Sequence, residues 1–152
     1  MALNIESDFD ETDFRILQEL QADARVTISE LGRRVHLSQP AVKERIRRLT
    51  EAGVIRGYHA DIDMHALGYP IKAIIRVAVN GAMTRRFNEI ADDMPEIAEL
   101  NSVTGTDAYV LKVHARSISH LDALIGRISS AGESTTYIVL QEVLRPLLIE
   151  KA

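Results

Sequence analysis

The sequence predicts an α+β protein in two parts, three short helices followed by a strand–helix–strand–strand–helix–strand series. Three observations carry that expectation. Three helix-start signals fall within about thirty residues, the apolar spacing switches from helical to alternating at Ile71, and Gly or Pro punctuates the ends of elements. At 152 residues the chain has room for two small domains, and with no Trp and three Phe its cores must be mostly aliphatic.

The helices are taken in order. Asp10 is expected to cap the first, with Asp13 at its third position and Phe9 and Phe14 flanking the cap as a staple pair. Thr27 and Glu30 predict a capping box on the second, with Val26 and Leu31 repeating the staple. Ser38 is expected to cap the third, stapled by Leu37 and Val42, and Gly53 suits the left-handed residue that ends it. Phe14, Leu17 and Leu20, then Ile28, Leu31 and Val35, then Val42, Ile46 and Leu49 recur at helical spacing. His36 and Leu37 alone separate the second helix from the cap of the third, which predicts a tight helix-turn-helix.

Residues 54–62 read as extended, and Asp63 to Gly68 as one capped helical turn before the boundary at Tyr69-Pro70. The expected domains are therefore 1–54 and 71–152, with 55–70 as linker. In the second, Ile71, Ala73, Ile75, Val77 and Val79 alternate as a strand. Thr84 to Met94 reads as a helix with Phe87, Ile90, Ala91 and Met94 on one face. Strands are expected over Ile97–Thr104, Ala108–Ala115 and Thr135–Leu144, and a helix capped by Ser117 carries Leu121, Leu124, Ile125 and Ile128. The order βαββαβ predicts a ferredoxin-like unit.

Charge is unevenly distributed. Residues 1–23 hold seven acids against Arg15, whereas residues 33–48 hold six bases against Glu44. A local positive field serves phosphate binding even where the whole chain carries a net charge of −4. A solvated helix face is the alternative account of that stripe. On a helical wheel Val42, Ile46 and Leu49 fall together, while Pro40, Lys43, Glu44 and Arg47 fall opposite, Arg45 and Arg48 on a flank and Gln39 at the tip. A helix with that division is suited to the major groove, with Gln39 matched to adenine and Lys43 or Arg47 to guanine or phosphate. Arg33 and Arg34 are expected at the DNA backbone, and Ser38 at a phosphate as well as the cap. The alternative for Arg45 is an intramolecular ion pair, and for Glu44 an orienting role.

These residues resemble a known family. Leu37-Ser38, Val42, Arg45-Ile46, Leu49 and Gly53-Val54-Ile55 resemble the helix-turn-helix signature of the Lrp/AsnC (feast/famine) regulators, and Asp10, Asp13 and Ile16-Leu17 resemble their opening. Gly57-Tyr58, Leu67-Gly68-Tyr69 and Ser102-Val103-Thr104-Gly105 extend the likeness over nearly the whole chain. The resemblance implies a (winged) helix-turn-helix domain and a C-terminal ligand-sensing, oligomerising domain of RAM type. It further implies a cytoplasmic homodimer assembling to tetramer or octamer, an amino-acid effector, no catalysis and no cofactor. Two-fold pairing predicts a near-palindromic site on double-stranded DNA.

The candidate effector pocket comprises Thr104, Gly105, Thr106 and Asp107 with Ser134, Thr135 and Thr136. Amide and hydroxyl donors suit a carboxylate, and Asp107 suits an ammonium group. An ordinary polar β-turn is the alternative. The family pattern is Gly-x-x-Asp before an aromatic residue. Here the aromatic is Tyr109, Ala108 stands at the Asp position and the acid is Asp107. An apolar patch of Ile74, Ala78, Val110, Ile138 and Leu140 is expected on the sheet face away from the helices, for a second subunit to cover.

Zero Cys excludes disulfides, thiolate metal sites and Cys nucleophiles, and the five His show no metal-ligand spacing. No phosphate-cradling glycine loop or nucleophile elbow is present. The acidic N-terminus and lack of Cys are expectations for a cytoplasmic protein without a secretory leader. Two rivals remain at this stage: a metabolite sensor whose helical head docks a protein, and a small ferredoxin-fold enzyme.

Overall fold

The computed structural model describes residues 9–143, which divide into two units between Asp61 and Ile62. The expected ends of the two domains, 1–8 and 144–152, lie outside the described residues.

In the first unit α1 spans Glu11–Ala22, α2 Ile28–Val35 and α3 Gln39–Glu51. The cap of α1 forms as its sequence requires. The Asp13 amide donates to Asp10 Oδ1 and the Asp10 amide to Asp13 Oδ2, each at 3.0 Å. Thr27 accepts from the Glu30 amide at 3.2 Å, but only that half of the expected box forms. The Glu30 carboxylate turns outward to Arg33 and Arg34 instead, because two guanidiniums one turn away offer charge-assisted partners. Ser38 Oγ accepts from the Ala41 amide at 3.4 Å. At the far end of α3, Gly53 adopts φ 72, its amide donates to Thr50 O, and the Val54 amide donates to Leu49 O. This is a Schellman closure.

Ile16, Leu31, Val35, Val42 and Leu49 make the buried core of this unit, with Ile46, Phe9 and Ile55 partly buried against it. Between α2 and α3 the chain turns through His36, at φ 58, and the Leu37 amide donates to Gly32 O at 2.9 Å. A Cβ on Gly32 would stand 2.7 Å from Leu37 O. The tight turn therefore depends on a glycine inside α2. After α3, residues 56–60 carry no regular secondary structure. Asp63 accepts from the His65 and Ala66 amides, the Leu67 and Gly68 amides donate back to Met64 O and His65 O, and Gly68 at φ 87 ends the capped turn.

The second unit runs β1 Ile71–Ala78, α4 Thr84–Asp92, β2 Ile97–Ser102, β3 Tyr109–Ala115, α5 Ile118–Ser129 and β4 Glu133–Ile138. The sheet is antiparallel in the order β2-β3-β1-β4, the ferredoxin-like arrangement. Alternation puts Ala73, Ile75 and Val77 of β1 and Leu111, Val113 and Ala115 of β3 inward, against Phe87, Ile90, Leu121, Leu124 and Ile128 from the helices. Phe87 stacks on Tyr109 with ring centroids 4.3 Å apart.

The last strand is shorter than expected, ending at Ile138, and Leu144 lies outside the described residues. Its register corrects one assignment. Ile138 pairs with Ala73, which is fully buried, so Ile138 belongs to the helix-side row; Tyr137, opposite Ile74, takes the open face instead. Leu140 follows the strand and is 96% exposed. The open face is consequently mixed, with Lys72, Arg76, Lys112 and His114 beside Ile74 and Val110.

Candidate nucleic-acid interface

Burial divides α3 as the wheel requires. Val42 and Leu49 are fully buried, whereas Gln39, Pro40, Lys43, Glu44, Arg47 and Arg48 are exposed, as is the capping Ser38. Pro40 in the first turn removes an amide that has no acceptor there anyway. Arg47 lies in the middle of the exposed arc. Its Nε and Nη2 donate to the two carboxylate oxygens of Glu44 at 2.9 and 2.6 Å, and its Nη1 reaches Glu51. The hydrogen bond from Arg47, followed by charge attraction, holds Glu44 below the ordinary carboxylate value; Glu44 and Glu51 in turn raise Arg47 further. The orienting role of Glu44 thus has a concrete partner.

Arg45 departs from the expected set. Its Nη1 donates to Asp10 Oδ1 and to Asp13 Oδ1, both at 2.8 Å, and its side chain is 23% exposed. The bond to Asp13 is the first cause of its raised pKa. Arg45 is therefore an internal strut between α3 and the cap of α1 and is removed from the candidate DNA contacts. An intramolecular ion pair is the alternative the sequence offers for Arg45, and its acidic partners are what the sequence leaves open.

Arg33 and Arg34 sit at the exposed end of α2. Arg34 bridges Glu19 at 2.7 Å and Glu30 at 2.9 Å, and its carbonyl accepts from Arg15 Nη2 at 2.9 Å, so it also ties α1 to α2. Arg33 pairs with Glu30 but keeps 76% of its side chain exposed.

The candidate effector residues are only partly brought together. Thr104, Gly105 and Thr106 form an exposed bend, with Gly105 at φ 120. Asp107 is not an unclaimed acceptor. It takes Arg76 Nε at 2.7 Å and also Arg76 Nη2, while Arg76 Nη1 donates to the Tyr137 hydroxyl at 3.3 Å. The bond to Asp107 is the leading cause of the raised Arg76 pKa. Thr135 pairs with Arg76 in the sheet register and shares the open face. Ser134 and Thr136 pair with Val77 and Ile75, so their side chains lie in the helix-side row. Ser134 Oγ meets Ser129 Oγ at 2.9 Å, and Thr136 Oγ1 is buried without a partner among the described residues. A single open-face pocket holding all three is excluded by alternation. Sequence reading missed Arg76 because a lone cation in an alternating strand reads as solvent-facing.

Among the described residues no His, Asp and Glu group is placed to hold a metal ion, and no helix is long and apolar enough to cross a membrane.

Residues 9–56 match the family model described as winged helix-turn-helix DNA-binding, and residues 72–147 match the Lrp/AsnC ligand binding domain. The chain is 32% identical to the HTH-type transcriptional regulator LrpC of Bacillus subtilis, over 88% of this chain and 93% of that protein. It is 35% identical to the leucine-responsive regulatory protein of Escherichia coli K12, over 90% and 87%. Among solved structures it is similar to B. subtilis LrpC, with a TM-score of 0.85 at 31% identity, covering 91% of this chain and 99% of that one. A complex of the regulator NMB0573 from Neisseria meningitidis with L-Met is also similar, with a TM-score of 0.83 at 26% identity, covering 93% and 96%.

Proposed function

Because the chain belongs to the Lrp/AsnC family of transcription regulators, we propose that α3 reads a near-palindromic operator and that an amino-acid-like effector on the second unit controls it. The observation that carries the DNA half is the exposed arc of α3. Gln39, Pro40, Lys43, Glu44, Arg47 and Arg48 stand opposite a fully buried Val42 and Leu49, behind a turn held tight at Gly32. N-terminal residues of such a helix meet base edges, so Gln39 is assigned to adenine, and Lys43 and Arg47 to guanine or phosphate. Ser38, Arg33 and Arg34 are assigned to the DNA backbone.

For the effector, the reading is supported by two relatives, the leucine-responsive regulatory protein and the regulator solved in complex with L-Met. Within this chain the contacts are assigned to Thr104, Gly105, Thr106, Asp107 and Thr135, with Arg76 added and Ser134 and Thr136 withdrawn. A guanidinium beside a carboxylate is complementary to a zwitterion. The open sheet face, with Ile74 and Tyr137 exposed, suits cover by a second copy in a homodimer and its tetramer or octamer. The assigned domains are 1–54 for DNA and 71–152 for effector and assembly, joined by 55–70, in a cytoplasmic protein.

The test is a fluorescence-anisotropy titration of the full chain against genomic fragments across a salt series, with and without each free amino acid. Affinity is expected to fall steeply as salt rises. Arg47→Ala should weaken binding by about 1–3 kcal/mol while leaving stability within about 0.5 kcal/mol. Salt-insensitive or absent binding overturns the DNA assignment and favours a helical head that docks protein.

A further inference from the structure

The exposed arc of α3 is not simply positive. Lys43, Arg47 and Arg48 share it with Glu44 and Glu51, while Arg45 is committed to Asp10 and Asp13. Arg47 is held from both sides. Three of its five N–H donors go to carboxylates: Nε and one Nη2 hydrogen to Glu44, and one Nη1 hydrogen to Glu51. One N–H remains on each terminal nitrogen. Two terminal nitrogens that each keep a donor can make a two-pronged contact with guanine O6 and N7. The spacings of three and four residues make the clamp a property of the helix itself.

The two modes of DNA binding meet this clamp differently. Away from its site a protein is held almost wholly by phosphate contacts and counterion release. A phosphate approaching Arg47 must displace or approach two carboxylates, which opposes that contact. A guanine edge needs only the two donors the clamp leaves open, and the clamp pre-orients them.

We propose that Glu44, seconded by Glu51, is a positioning residue that determines specificity: it aims Arg47 at a base edge and weakens its use as a phosphate contact. The inference rests on the DNA-binding reading above and adds the discrimination to it.

The experiment uses the full chain and two duplexes, one selected from a random-sequence library by the wild-type protein and one with the same bases scrambled. Dissociation constants are measured from about 50 to 200 mM salt, the range over which phosphate contacts are most visible. Glu44→Gln should bind the scrambled duplex about tenfold more tightly, with a salt slope steeper by about 0.9, one phosphate contact's worth. On the selected duplex the gain should stay within about twofold, so discrimination falls about fivefold. Glu51→Gln should shift the same way by less, and in an Arg47→Gln background Glu44→Gln should no longer change the ratio. Glu89→Gln, an exposed acid on α4, controls for charge alone and should change neither duplex. Equal gains on both duplexes, an unchanged salt slope, or persistence of the effect without Arg47 would overturn the inference while leaving the DNA assignment standing. Wild-type protein that binds neither duplex overturns both.

Discussion

Arg45 and Asp13 lie 32 residues apart in the chain, yet the Arg45 guanidinium stands 2.8 Å from an Asp13 carboxylate whose side chain is only 3% exposed. Asp13 also closes the cap of α1 through the Asp10 amide. One buried carboxylate thus sets both where α1 begins and how α3 is rotated against it, which makes the orientation of the exposed arc depend on a contact outside it.

Removing the strut leaves a buried charge unpaired. Arg45→Met is expected to cost about 2–4 kcal/mol in urea unfolding, well above the effect of an exposed charge. Replacing both partners, Arg45→Met with Asp13→Leu, should recover part of that loss. A single-variant cost below about 0.5 kcal/mol would mean that the pair carries no structural load.

The same cluster predicts an acid-dependent stability. Burial opposes ionisation of Asp10, but the Asp13 amide and the Arg45 guanidinium outweigh it and hold its pKa below the ordinary 3.8. A depressed carboxylate contributes stability that is present above its unfolded value and lost as pH falls through the folded one. Asp10→Asn keeps a capping side chain without the charge. The stability difference between wild type and this variant should be constant above about pH 5 and shrink steadily below about pH 4. A difference that grows on acidification would give the linkage the wrong sign.

At an ordinary helix-interior site, Gly to Ala stabilises by about 1 kcal/mol. Gly32→Ala should do the reverse. Its Cβ would meet Leu37 O at 2.7 Å, a backbone atom held in place by the left-handed His36. A loss of about 2 kcal/mol is expected in thermal or urea unfolding, from forced opening of the turn. A stabilised variant would show that the turn relaxes freely.

On the second unit, an amino acid that binds the native state raises its melting temperature. Once a thermal-shift screen has identified one, Arg76→Gln and Asp107→Asn should each abolish most of that shift. Ser134→Ala, whose hydroxyl faces Ser129 on the helix side, should retain it. The opposite ranking would place the ligand on the helix side of β4.

Much of the architecture was legible in the sequence because the interactions that specify it are local. A cap spans three residues, a staple five, and strand alternation two, so Asp10, Thr27, Ser38 and Gly53 marked helix ends correctly. The row Ala73, Ile75 and Val77 marked the core face. Where local rules misled, a competing partner was responsible. Glu30 left its box for two arginines, and Ile138 changed face because register, not composition, decides which row a strand residue joins.

By itself, then, the sequence determined the two-part α+β order, the exposed arc of α3 and the family the chain belongs to. Tertiary structure alone decided that Arg45 is a strut rather than a contact, and that Asp107 is claimed by Arg76 with Tyr137 beside it, across 31 and 61 residues. The physical reason is range. Backbone hydrogen bonding and apolar periodicity are written into neighbouring residues, whereas an ion pair depends on which distant strand or helix packing brings within about 3 Å.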